Sequence, residues 1–166
     1  TASFSKGETD WRRGRDVLAP RGNNILAARG GPDNFGYTWR DSDDPRGPAF
    51  AWQDISTTGA RILDLGDDDN IGFFNIGFAF PFYDSVFTKF RVCSNGFISF
   101  TSAANFFSNN PIPSIGSVAD LIAPFWDDLD ARPGAVYYHS NGQRLVVQWQ
   151  NVVRAGNSDL FTFQVI

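Results

Sequence analysis

Carboxylates are the groups in this sequence best able to do chemistry, and they come in three short runs. Leu121 to Asp130 reads LIAPFWDDLD and sets Asp127, Asp128 and Asp130 directly after two aromatics. Gly66 to Asn70, GDDDN, holds Asp67, Asp68 and Asp69, and DSDDPRGP from Asp41 to Pro48 holds Asp41, Asp43 and Asp44. Hard cations such as calcium take about six to eight oxygens, and closely spaced Asp residues on irregular backbone supply them. Asp127, Asp128 and Asp130, then Asp67, Asp68 and Asp69, then Asp41 and Asp43 are therefore the candidate calcium ligands. None of the runs has EF-hand spacing, which needs a Gly and a distant Glu. The plainer reading of each is turn chemistry, since Asp side chains cap turns and stay solvated.

Other chemistries are poorly supplied. Two carboxylates also serve glycoside hydrolysis, but Asp127 and Asp128 are adjacent and would point to opposite faces of a strand. His139 is the only histidine and no G-x-S-x-G elbow accompanies it. Cys93 is the only cysteine, so no internal disulfide forms, and its apolar surroundings make it a small buried hydrophobe rather than a nucleophile. One His and one Cys do not make a zinc site. No glycine-rich phosphate loop follows a strand. Residues 1–30 carry six Lys/Arg against three acids, while residues 31–166 carry eight against fifteen, all of them Asp. An acidic folded part is ill suited to nucleic-acid backbones.

The elements that must position these groups read as strands. The chain is 42% hydrophobic and 16% aromatic, with 17 Phe, 16 Gly and 9 Pro among its 166 residues, which describes a cored domain full of turns. Phe74, Ile76, Phe78, Phe80 and Phe82 alternate with small residues, the period of a strand with one bulky face. The small face opposite leaves room for another layer or for a groove. Val86 to Cys93 continues as a second strand. Asn95-Gly96 predicts a two-residue hairpin that returns Ile98 to Phe100 along Arg91 to Cys93. Asn141-Gly142 predicts another, with Ser140 opposite Gln143, Tyr138 opposite Leu145 and Val136 opposite Val147. That register sends Tyr137, His139, Arg144, Val146 and Gln148 to an outer face. Tyr137 thereby becomes the candidate surface aromatic for stacking on a glycan, and Trp126 a core anchor.

Shorter strand candidates are Phe35 to Arg40, Phe50 to Ile55, Arg61 to Leu65 and Leu160 to Ile166. LIAPFWDDLD reads as a core strand that surfaces at an acidic edge, because Pro124 rules out a helix there. About nine strands at this spacing predict an all-β fold, a two-layer antiparallel β-sandwich of jelly-roll type. Thr1 to Gly31 reads as a linker or the tail of a preceding domain, and residues 32–166 as the sandwich. The last strand stops inside the alternating run FTFQVI, so the sandwich is expected to be truncated at its C-terminus by at least one strand. Ile71 to Phe90 is the most apolar window, but Asn75, Pro81, Asp84 and Lys89 interrupt it and argue against membrane insertion.

Several segments together resemble a known family. IGFAFPFYDSVFTKFRVCSNGFISF, LIAPFWDDLD, GAVYYHSNGQRLVVQWQNV and FTFQVI are similar, in order and content, to the nidogen-type extracellular domain, NIDO. The resemblance runs from about Ile71 to the end, and its IAPFWDD block followed by RLVVQW is its most specific part. The preceding segment GPDNFGYTWRDSDDPRGPAFAWQDIS is similar to what stands before this module in large secreted bacterial proteins. Asp84 stands where many members have Gly. The resemblance implies an extracellular or cell-surface location, a role in cell–matrix adhesion, neighbouring domains in the same chain, and no established catalytic role. The expected function is a non-catalytic binding or adhesion module for an extracellular protein or glycan ligand. The alternative is a calcium-dependent carbohydrate-binding accessory domain of a secreted hydrolase or protease.

Overall fold

The computed structural model of the chain describes residues 29–113 and 116–166. Residues 1–28 of the segment read as a linker or tail lie outside them. The chain divides into two compact units, one up to Ala51 and one from Trp52.

In the first unit β1 (Arg29–Gly30) pairs with β2 (Trp39–Arg40), Gly30 opposite Trp39. The strand expected from Phe35 to Arg40 shrinks to β2. The Asp33 carboxylate accepts from the amides of Phe35 and Tyr37, both at 2.9 Å, and a side chain that captures backbone amides displaces the ladder.

The second unit contains two antiparallel sheets. One has the order β4 (Asn70–Phe82), β5 (Ser85–Cys93), β6 (Phe97–Ser99) and β7 (Leu121–Ile122). The other runs β11 (Leu160–Val165), β10 (Leu145–Arg154), β9 (Ala135–Ser140) and β3 (Ala60–Ile62), with β8 (Leu129–Asp130) also paired to β10. Phe90, Val92, Ile76 and Ile98 from the first sheet and Val136, Val147, Trp149 and Val152 from the second are buried against one another. Phe74 of β4 meets Tyr138 of β9 with ring centroids 4.9 Å apart, and Trp149 stacks on Phe163 at 5.0 Å. This is the expected sandwich.

LIAPFWDDLD does more than surface at an edge: it changes sheets. Leu121 and Ile122 pair with β6, and Leu129 and Asp130 pair with β10 in the facing layer. Between them Phe125 packs on Phe161 and Phe163 of β11, each at 5.3 Å, and Trp126 packs on Phe97 at 5.2 Å. The crossing therefore closes one end of the sandwich.

Both hairpin registers differ from expectation. The first loop has three residues, Ser94 to Gly96, with Cys93 opposite Phe97, and within it Gly96 (φ +79°) takes the left-handed conformation. Asn95 is drawn inward instead, for bonds described below. The second loop has four residues, with Ser140 opposite Leu145 and Tyr138 opposite Val147. Its cause is Asn141, whose carboxamide oxygen accepts from the amides of Gln143 (3.0 Å) and Arg144 (2.8 Å). A shift of two leaves every side chain on its expected face.

The outer face, however, is not open to solvent at Val146 and Gln148, which are buried. The segment Trp52 to Ser56, whose first residues were expected to complete a strand, straps across it without joining a ladder. Gln148 Oε1 accepts from the Ile55 amide at 3.1 Å. Gln164 Oε1 accepts from the Gln53 amide at 3.0 Å while its Nε2 donates to the Gln53 carbonyl at 3.0 Å. Side-chain carboxamides replace the backbone partners that a strand would have used.

Candidate functional site

Two of the acidic runs meet. Asp67 forms an isolated antiparallel bridge with Asp130, and this brings the loop before β4 against the crossing segment. Oxygens of Asp67, Asp68 and Asp128 lie within 4.8 Å of one another. The remaining predicted ligands are committed elsewhere. Asp127 pairs with Arg154 at 2.9 Å and accepts from the Asp128 amide. Asp130 grips Arg132, at 2.7 Å from Nη2 and 2.9 Å from Nε. Asp69 accepts from the Gly66 amide at 2.8 Å, a turn cap. In the first unit Asp41 caps its own loop, accepting from the amides of Asp43 and Asp44. The buried Asp44 accepts from the Arg46 amide, and that bond holds its carboxyl below the usual range.

The rim is organised by Asn95, which is fully buried. Its Nδ2 donates to Asp68 Oδ1 at 2.8 Å and to the Asn105 carbonyl at 3.1 Å, and its Oδ1 accepts from the Leu129 amide at 2.8 Å. Asn105 in turn donates to the Asp68 carbonyl. One side chain thus fastens three loops.

Electrostatics follow from this crowding. Desolvation and then the negative charges of Asp130 and Asp68 raise the Asp67 carboxyl above the ordinary carboxylate range. The Arg132 guanidinium lowers Asp130 by hydrogen bonding to it. The charge set suits a hard cation, with Asp67, Asp68 and Asp128 as the carboxylates that would hold it and other oxygens completing the shell. One feature weighs against: Arg132 Nη2 stands 3.2 Å from Asp67 Oδ2 and already neutralises part of the site.

Tyr137 is half-buried on the outer face, opposite Arg61 and Gln148. Trp126 is buried as expected, and its Nε1 donates to the Phe106 carbonyl at 2.8 Å. Burial pushes the Cys93 thiol up to about 12.

A second feature escaped the sequence reading. An apolar cleft of about 470 Å³ is lined by Ile76, Phe78 and Phe80 of β4, Phe100 just after β6, Ile122 of β7 and Val165 of β11. Gln143 and Arg144 stand on its wall from the loop between β9 and β10. The phenylalanine ladder was legible as a bulky face. The cleft against it was not, because it depends on which residues the fold brings beside that face.

A family model described as NIDO related matches residues 47–166. The chain belongs to the NIDO-related family. The match takes in the acidic rim, the crossing segment and the cleft, so all three lie within the NIDO-related region. No solved structure matches the chain.

Proposed function

We propose that this chain is a non-catalytic extracellular binding and adhesion module of a larger secreted or surface-attached protein, with an extracellular protein or glycan as its ligand. NIDO-related membership supports an extracellular type of domain. The observation that carries the reading is that family match over residues 47–166. Of the groups able to make or break bonds, Asp127 and Asp130 are engaged by arginines and the Cys93 thiol is buried. No helix among the described residues is long and apolar enough to cross a membrane.

A second reading, a calcium-dependent carbohydrate-binding accessory domain, is favoured by the convergence of Asp67, Asp68 and Asp128. One experiment separates them. The purified chain is applied to arrays of extracellular proteins and of glycans, with calcium and with chelator. Retention on a ligand in both conditions, without turnover, is the expected result. Retention of glycans only with calcium, lost in Asp128→Asn, establishes the second reading. Hydrolysis of an arrayed glycan that disappears in Asp128→Ala overturns both.

A further inference from the structure

Asn-Gly occurs twice in the chain, at Asn95-Gly96 and at Asn141-Gly142, and the fold treats the two pairs differently. The dipeptide carries its own chemistry. The backbone nitrogen after an asparagine attacks the side-chain carbonyl carbon when it can reach it, and glycine, without a Cβ, obstructs that approach least. Three things then decide the rate. The attacking nitrogen must give up its proton, the carbonyl oxygen must be supported as it takes on charge, and Nδ2 must be free to leave.

Asn95 is held against this reaction. It is fully buried, and its Nδ2 donates to Asp68 Oδ1 at 2.8 Å and to the Asn105 carbonyl at 3.1 Å. Both bonds must break before that nitrogen departs. The Gly96 amide donates to the Cys93 carbonyl at 3.3 Å. The Phe125 carbonyl oxygen stands 1.9 Å from where a Gly96 Cβ would be, so this stretch of backbone has no room to turn toward the Asn95 side chain.

Asn141 is arranged the other way. It is exposed, in the four-residue loop between β9 and β10. Its Oδ1 accepts from the amides of Gln143 at 3.0 Å and Arg144 at 2.8 Å. Two backbone donors are thus already aimed at the oxygen on which negative charge would build. Its Nδ2 donates to no described residue. The Gly142 amide meets the Ser140 hydroxyl oxygen at 3.2 Å, and the space where a Gly142 Cβ would stand is open.

We propose that Asn141-Gly142 is a self-modification site, at which the folded chain converts its own asparagine to aspartate and isoaspartate. The Gly142 nitrogen loses its proton to solvent and bonds to Asn141 Cγ. The Cγ–Nδ2 bond breaks, and Nδ2 takes up a proton and leaves as ammonia. Water then opens the cyclic imide. Breaking the bond from the Gly142 nitrogen to Cγ gives aspartate. Breaking its bond to the Asn141 main-chain carbonyl carbon gives isoaspartate, with the chain running through Cβ and Cγ. Nothing is oxidised or reduced, and water is the only co-reactant. Either product adds a negative charge to the loop that carries Arg144. Aspartate keeps a side-chain oxygen for the amides of Gln143 and Arg144, whereas isoaspartate takes that carbonyl into the main chain and lengthens the loop.

The test follows the whole native chain over time at pH 6 and pH 8. Protease digestion and fragment masses locate each conversion and separate aspartate from isoaspartate. Asn141 should convert at least about tenfold faster than Asn95, the ratio expected when two hydrogen bonds hold the Asn95 leaving group. Conversion should be faster at pH 8 than at pH 6, because the attacking nitrogen must lose a proton, and isoaspartate should be among the products. In urea the two asparagines should convert at similar rates, so Asn95 reports any conversion that passes through unfolded chains. Gly142→Ala, which sets a Cβ beside the attacking nitrogen, should slow Asn141. Equal native rates at the two asparagines would overturn the proposal. So would aspartate without isoaspartate, or an Asn141 that stays intact in the native chain while the urea-treated chain converts.

Discussion

Trp149 and Cys93 join the two layers of the sandwich. The Trp149 indole Nε1, on β10, donates to the Cys93 carbonyl at the end of β5, at 3.0 Å, and both residues are fully buried. The bond passes between sheets, so it fixes their separation and their relative slide at that point, while the indole ring stacks on Phe163 with an interplanar angle of 14°. Trp149→Phe keeps most of the stack and removes the donor. It should cost about 1–3 kcal/mol, the scale of an abandoned buried hydrogen bond. Trp149→Ala should cost about 3–5 kcal/mol, since a cavity is added. Urea unfolding followed by tyrosine and tryptophan fluorescence checks both, and parental stability in Trp149→Phe would show that the bond contributes nothing.

The same carbonyl belongs to a residue whose thiol is held inert. Burial pushes Cys93 up to about 12, so at pH 8 it is protonated in the folded chain and shielded from reagent. Ellman's reagent should leave the native protein unmodified over minutes and titrate one thiol at once in denaturant. Rapid native labelling would mean that the end of β5 opens readily.

How far the sequence carried can be judged from these elements. The phenylalanine alternation of β4 and the pairing of β9 with β10 were legible because period and turn residues are local signals. The registers were not. Asn141 lengthens its loop by capturing two amides with its carboxamide, and Asn95 leaves its turn to bond Asp68, Asn105 and Leu129, residues that only the fold makes neighbours. The acidic rim was half legible. Each run was visible, but sequence gives no means of knowing that Asp67 would bridge to Asp130, or that arginines would claim Asp127 and Asp130 and leave Asp128 facing Asp67 and Asp68. Gln148 looked like a surface position and instead, with Gln164, holds the strap, because a carboxamide can stand in for a missing strand.

Asp67 and Asp130 should respond to pH in opposite senses. The folded-state carboxyl of Asp67 is raised above 3.8 by desolvation and by its acidic neighbours. Its ionisation therefore destabilises the fold, fully above the raised value and not at all below 3.8. Asp67→Asn should raise the melting temperature at pH 7, and the gain should shrink as the pH falls toward 4. Asp130 is lowered by its bonds to Arg132, so its contribution is favourable above 3.8 and is lost as pH falls through the lower folded value. Asp130→Asn should lower the melting temperature at pH 7, with the deficit closing only in strong acid. A set of melts between pH 3 and 8 decides both, and parallel curves for the two variants would contradict the assignment.

Asn95 should be the least replaceable residue of the rim. It is fully buried, and its one carboxamide makes three hydrogen bonds, to Asp68 Oδ1, to the Asn105 carbonyl and from the Leu129 amide. Asn95→Ala leaves the Leu129 amide and the Asn105 carbonyl without that partner, and each abandoned buried group costs about 1–3 kcal/mol. Asn95→Asp preserves the shape and the acceptor for Leu129 but replaces a donor with a carboxylate oxygen facing Asp68. The new carboxyl is then desolvated beside a like charge, which favours its protonated form. At pH 7 the aspartate variant should be at least as unstable as the alanine one, and it should recover relative to alanine as the pH falls toward 4.5, where a protonated carboxyl donates again. Urea midpoints for both variants at the two pH values test this. An aspartate variant with parental stability at pH 7 would mean that Asn95 does not bond Asp68 in solution and that the acidic loops are held by their arginines alone.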